Sequence, residues 1–187
     1  MSEDLTFEKF PKMARLKRQC VITEKIDGTN AQILFNSEGD MLVGSRKRVI
    51  VPGDDNYGFA RWAYDNQLRL MDVLGKGRHY GEWWGHGIQR GYGMPQGLRK
   101  FSLFNVARWL QDDTEKLKAV DGLDVVPILY DGIFSDESSD DAMNTLKMGG
   151  SYANLGFVKP EGICIWHSAT RAYYKRTFEH DETGKPE

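Results

Sequence analysis

Cysteine is scarce in this 187-residue chain: there are two, Cys20 and Cys164, both inside strand-like runs and with no CxxC spacing. They supply neither a disulfide framework nor a zinc site, and both are expected to be buried thiols. The four histidines show no ligand spacing. No stretch approaches the roughly 18–20 uninterrupted apolar residues of a membrane helix. The opening MSEDLTFEKF has no basic start followed by an apolar run. The expectation is a soluble, cytoplasmic protein without membrane contact. Repeats, low-complexity tracts and Pro/Gly/Ser linkers are also missing, so residues 1–187 read as a single domain, long enough to enclose a hydrophobic core.

A strong excess of either charge is absent too, the net charge being -2, but its distribution is uneven. Residues 1–100 sum to about +4 and residues 101–187 to about -6. Basic residues cluster at Arg15, Lys17 and Arg18 and again at Arg46, Lys47 and Arg48, where a phosphate backbone can be held. The acidic run Asp136–Asp141 precedes a short apolar pattern ending at Gly149-Gly150 and reads as a solvated helix start rather than a metal site.

What is present is a pattern of short strands. Residues 20–24, 29–35 and 41–45 read as a meander, with NSEGD turning between the last two. Residues 56–74 read as a helix with an Asn start, inward positions Phe59, Trp62, Leu70 and Leu74, and Gly75 as its stop. Further strands are expected at 78–84, 101–106, 124–130, 161–167 and 172–178, giving an α+β domain of mainly antiparallel sheets flanked by helices. The glycine-rich, basic segment Gly85–Gly93 lacks a GK[ST] ending and is expected to be a mobile loop.

One segment concentrates chemistry. Thr23-Glu24-Lys25-Ile26-Asp27-Gly28-Thr29-Asn30 sets a lysine at the end of an apolar strand and before a glycine turn, where its amine would be held rigidly. An ordinary lysine, with a pKa of about 10.4, is neutral at pH 7 in only a few molecules per ten thousand, so a nucleophilic one needs nearby cations or desolvation.

Lys25-Ile26-Asp27-Gly28 resembles motif I of the covalent nucleotidyltransferases, the superfamily of ATP-dependent DNA ligases, RNA ligases and GTP-dependent capping enzymes. Five further motifs follow in order. Ser45-Arg46 resembles motif Ia, Tyr80-Gly81-Glu82-Trp83 motif III, Phe101-Ser102-Leu103-Phe104 motif IIIa, Pro160-Glu161-Gly162-Ile163 motif IV, and Tyr173-Tyr174-Lys175 motif V. The resemblance implies a nucleotide cleft between the sheets. In it Lys25 attacks the α-phosphate of ATP to form lysyl-AMP, and Lys175 neutralises that phosphate as a second catalytic residue. Glu161 is implied as the ligand of Mg²⁺, with Mn²⁺ able to substitute. Glu82 would meet the ribose, Phe104 would stack on adenine, and Arg46 would contact the nucleotide or the nucleic-acid end. Glu24, Ile26 and Asn30, beside the lysine, complete the implied nucleotide-binding set. Two positions depart from the family pattern: Asn105 stands where aspartate is common, and Thr177 where many relatives carry a second lysine.

No OB-like domain fits after residue 180, which favours the RNA ligase branch over DNA ligases and capping enzymes, and Phe10-Pro11-Lys12-Met13 looks like that branch. The implied reaction transfers AMP to a 5′-phosphate RNA end and seals that end to a 3′-hydroxyl, alone or with an accessory protein. The sequence leaves open a minimal ATP-dependent DNA ligase, a stand-alone adenylyltransferase and, from another class, an inactive nucleic-acid-binding relative. Oligomeric state is not legible.

Overall fold

Alternating burial along the strands builds two sheets that face each other. The structure is a computed structural model that describes residues 6–109 and 114–182. The first sheet has the order β7-β1-β8-β9, formed by Ile128–Ile133, Gln19–Lys25, Gly162–His167 and Ala172–Thr177, all antiparallel. The second has the order β3-β2-β4-β5-β6, formed by Met41–Ser45, Thr29–Phe35, Gly77–Gly85, Arg99–Leu103 and Leu123–Val125. Its pairs are antiparallel except β5 with β6. Among the described residues no helix is long and apolar enough to cross a membrane.

Because side chains alternate between faces along a strand, each sheet has one face for a helix-covered core and one for the cleft. On the second sheet Ala31, Ile33, Phe35, Phe101 and Leu103 pack with helices α1 (Phe59–Asp65), α2 (Gln67–Leu74) and α3 (Thr114–Leu117). Phe59, Trp62, Trp83 and Phe101 form an aromatic cluster there with ring centroids 4.9–6.0 Å apart. On the first sheet Cys20, Ile22, Ile163 and Ile165 pack against Ala142 and Leu146 of α4 (Asp136–Gly149). A third cluster of Ile26, Trp84, Tyr92, Val106 and Val126 lies where the sheets meet. Burying side chains of this size contributes about 1.5–3 kcal/mol each.

β1, β2, β3, β8 and β9 are strands where the pattern put them, but the first three are not a meander: β2 pairs with β3, while β1 crosses to the other sheet between β7 and β8. Three further segments differ. The stretch 56–74 is two helices, broken at Asn66, whose φ of -110° is not helical. Asn56 does not start the first of them: its side chain donates to Thr29, and the Asp55 carboxylate accepts the N–H groups of Ala60 and Arg61. The run 124–130 divides between the sheets, β6 ending at Val125 and β7 starting at Ile128. Pro127, with no N–H for a ladder, sits at the crossing, and its carbonyl accepts the Glu24 N–H at 2.9 Å. The run 101–106 is strand only to Leu103, after which Val106 N–H turns back to the Phe104 carbonyl. The acidic run is the start of α4, capped reciprocally by Ser135 and Ser138.

Gly162 lies between β1 and β9. It pairs with Lys25 on one side and Thr177 on the other, at φ +152°, and a Cβ there would sit 2.1 Å from the Arg176 carbonyl oxygen. Gly162→Ala therefore has to push β9 off β8. It is expected to cost roughly 2–4 kcal/mol of stability, read as a lowered urea midpoint; an unchanged midpoint would refute that close approach.

Candidate active site

Period-two geometry brings distant motifs into rows on the cleft face of the first sheet. Lys25 stands opposite Gly162, which stands opposite Thr177; the next row is Thr23, Cys164 and Lys175, and the one beyond is Val21, Trp166 and Tyr173. Lys175 is thus one row from Lys25 and exposed. Glu161, immediately before β8, is buried, and its Oε2 accepts a hydrogen bond from Lys25 Nζ at 2.6 Å. The nucleophile candidate and the motif IV acid, 136 residues apart in sequence, form an ion pair.

The second sheet contributes Glu82, which is opposite both Asn30 and Ser102. Its carboxylate accepts the Gly28 N–H at 3.0 Å and the Asn30 amide at 2.9 Å. Gly28 is required by proximity, since a Cβ would lie 2.5 Å from the Trp83 carbonyl oxygen. Burial pushes the Glu82 carboxyl up to about 7; Lys25 and the two hydrogen bonds act against that rise, and neighbouring Glu161 adds to it.

Between the sheets lies a cavity of about 710 Å³. Thr23, Asn30, Arg46, Tyr80, Phe104 and Trp166 are among its lining residues, and Asn105 is exposed on its wall. Lys25 follows Thr23 on the same face, so the charged cluster adjoins the end of the cavity that Thr23 and Asn30 mark. Of the expected set, Lys25, Glu161, Glu82, Asn30 and Lys175 converge, and Phe104 and Arg46 line the adjoining cavity.

Two expected binding residues point elsewhere. Glu24 accepts the Ser151 hydroxyl at 2.6 Å and the N–H groups of Tyr152 and Ala153 at 2.8 and 3.0 Å, so its carboxylate anchors that loop. Burial still pushes Glu24 upward against those bonds. The Ile26 side chain belongs to the core between the sheets. At the Thr177 departure, the hydroxyl donates to the Glu179 carbonyl at 2.7 Å.

Sequence reading missed three residues. Cys164 is not buried like Cys20: it is half-buried on the cleft face, its thiol pushed up to about 11 by burial, with Lys25, Glu161, Glu82 and Lys175 all acting on it. Its place three residues after Glu161 on an alternating strand was the available signal. Arg90 and Tyr92 belong to the segment expected to be a mobile loop, yet Ile88 and Tyr92 are wholly buried and Arg90 pairs with Asp27 at 3.1 Å.

No group of three or more His, Cys, Asp or Glu side chains gathers into a metal-binding cluster among the described residues. One buried hard-oxygen donor, Glu161, suits Mg²⁺ or Mn²⁺, because such an ion keeps waters and takes substrate phosphate oxygens as further ligands.

Facing, helix-flanked sheets with a cleft between them are the architecture of a ligase-type adenylation domain. Residues 18–180 match the model of the RNA ligase family, and the chain belongs to that family. A Naegleria gruberi RNA ligase mutant with AMP and Mn is similar in structure, with a TM-score of 0.64 and 19% identity, over 87% of this chain and 50% of that one. Another mutant of that ligase, with ATP and Mn, gives 0.62 and 20% over 87% and 50%. The ligase with PPi gives 0.64 and 19% over 86% and 50%. The chain thus spans about half the length of the solved ligases it matches. No curated protein matches it.

The raised Glu82 carboxyl has a pH consequence. Between its unfolded value of 4.5 and about 7 the folded protein holds a proton that the unfolded chain has lost, so this residue lowers stability as pH rises through that window. Relative to Glu82→Gln, the natural protein is expected to lose on the order of 3 kcal/mol between pH 4.5 and 7.5 in urea denaturation. Parallel pH profiles for the two proteins would contradict this.

Proposed function

We propose that the domain is the nucleotidyl-transferring part of an ATP-dependent RNA ligase that works through lysyl-AMP at Lys25. The observation that carries this reading is the convergence of Lys25, Glu161, Glu82 and Lys175 at one end of the cleft, together with membership of the RNA ligase family. Solved relatives with AMP and Mn, with ATP and Mn, and with PPi support the same choice of nucleotide and ion.

In the first step the lone pair of Lys25 Nζ attacks the α-phosphorus of ATP. An N–P bond forms, the bond to the β-phosphate oxygen breaks, pyrophosphate leaves with that electron pair, and the amine loses a proton. The lone pair is free only once the Lys25 ammonium has given up a proton; the neutral amine can then attack while still donating one N–H to Glu161. Exposed Lys175 offers its charge to the α-phosphate, where preorganised cations lower the barrier most. Phe104 presents a ring face to adenine, Arg46 a planar fork to ribose or phosphate, and Glu82 a carboxylate to the ribose hydroxyls. Asn30 and the Gly28 N–H orient that carboxylate. Mg²⁺, or Mn²⁺ in its place, when held by Glu161 supplies Lewis-acid charge to the phosphate oxygens.

In the second step the 5′-phosphate of an RNA end displaces Lys25 from phosphorus and takes AMP. In the third, a 3′-hydroxyl attacks that phosphate, and AMP leaves as the phosphodiester forms.

Incubation with α-labelled ATP and Mg²⁺ is expected to give an acid-labile protein adduct, with far less from GTP. Lys25→Ala should abolish it, and Lys175→Ala should slow it by about 100-fold or more. Labelled AMP should then pass to 5′-phosphorylated RNA. An adduct retained in Lys25→Ala would falsify the nucleophile, and preferential sealing of DNA nicks would overturn the substrate class.

A further inference from the structure

The loop between β4 and β5 runs behind the site, and two of its side chains hold the backbone that carries Lys25. Tyr92 is wholly buried, at φ +50°, an uncommon conformation for a non-glycine residue. Its hydroxyl accepts the Asp27 N–H at 3.0 Å and donates toward the Lys25 carbonyl at 3.5 Å, so one oxygen spans both sides of the turn that follows the lysine. Burial pushes the phenol upward, which keeps it a proton donor. The Tyr92 ring packs on Trp84 and Phe157, at centroid distances of 5.1 and 4.5 Å, and its carbonyl accepts the Asn154 amide at 2.7 Å.

Two residues earlier, Arg90 spreads its guanidinium over three chain segments. Nε donates to Asp27 at 3.1 Å, one terminal nitrogen to the Lys159 carbonyl at 3.4 Å, and the other to Glu179 at 2.9 Å. Asp27 follows Lys25 by two residues, Lys159 precedes Glu161 by two, and Glu179 follows Lys175 by four. One planar fork therefore reaches the segments that deliver the nucleophile, the acid and the second lysine. Tyr92 is closed off from the cleft by burial, and each guanidinium nitrogen of Arg90 is already engaged by the chain itself.

We propose that Arg90 and Tyr92 are positioning residues for nucleotidyl transfer: together they hold the Lys25–Asp27 turn, the approach to Glu161 and the exit from β9 in one arrangement, without touching the nucleotide. The proposal rests on Lys25 being the nucleophile. Its physical basis is that in-line attack tolerates little misplacement, a displacement of 1 Å being enough to cost about 100-fold in rate. A lysine side chain has many rotamers, so its reach is reproducible only if its own backbone is fixed. Lysine at position 90 keeps the charge but not the fork that serves three acceptors.

Single-turnover formation of the labelled adduct separates positioning from simple loss of folded protein. The plateau counts competent molecules, the rate at saturating ATP reports alignment, and the ATP concentration at half-maximal rate reports binding. Tyr92→Phe, which removes one oxygen, and Arg90→Lys are each expected to slow the saturating rate by about tenfold or more. Plateau and half-saturation should stay within about twofold of the natural protein. Glu179→Gln, which leaves Asp27 its partner, should have a smaller effect in the same direction. Unchanged rates in both Tyr92→Phe and Arg90→Lys would overturn the proposal, as would a lowered plateau reached at the natural rate, because that pattern marks a purely structural role. If the natural protein forms no adduct, the lysyl-AMP reading itself fails, a result distinct from either of these.

Discussion

Lys25 ends a strand that is hydrogen-bonded on both edges, by β7 and by β8, and the chemistry proposed for the domain depends on that constraint. A lysine on a loop or an edge strand would carry its amine through a wide volume. Here the ladder to β8 runs through Lys25 itself, the ladder to β7 reaches Thr23, and the turn behind is held as well, leaving the side chain as the main source of freedom. The same register that fixes Lys25 sets Gly162 beside it and Lys175 one row away. Antiparallel pairing thereby converts three separated motifs into one charged cluster, and the facing sheet completes it with Glu82.

Electrostatic placement follows from the same geometry. The chain as a whole is slightly acidic, but among the described residues those lining the cavity include Arg46, Arg78 and Arg108 and no carboxylate. The acids near the site are Glu82 and Glu161, and each is engaged, one by Gly28 and Asn30 and the other by Lys25. The cavity wall thus offers cations and aromatic faces, and the two carboxylates stand at its end. Net charge was a poor guide because it averages over this separation.

Much of this was legible in the residue order. Strand patterning located β1, β2 and β3, and the resemblance of six ordered motifs to those of the covalent nucleotidyltransferases picked out Lys25, Glu82, Glu161 and Lys175 before any geometry was known. The illegible parts share a cause: they were decided by tertiary partners. Apolar periodicity ran straight through Asn66 and through Val126-Pro127, where the chain breaks one helix and crosses between sheets. Glu24 sits beside the nucleophile in sequence, yet alternation turns its carboxylate to the opposite face, where Ser151 and two loop amides receive it. The glycines of residues 85–93 suggested freedom, but the buried Ile88 and Tyr92 side chains between them govern that loop.

The apolar cluster of Ile26, Trp84, Tyr92, Val106 and Val126 joins the two sheets as the spine of a book joins its covers. Lys25, Glu161 and Lys175 stand on one cover and Glu82 and Asn30 on the other, so the gap between the proposed nucleophile and the proposed ribose ligand is a thickness set by hydrocarbon. Core packing therefore sets how far apart the two polar faces of the cleft stand.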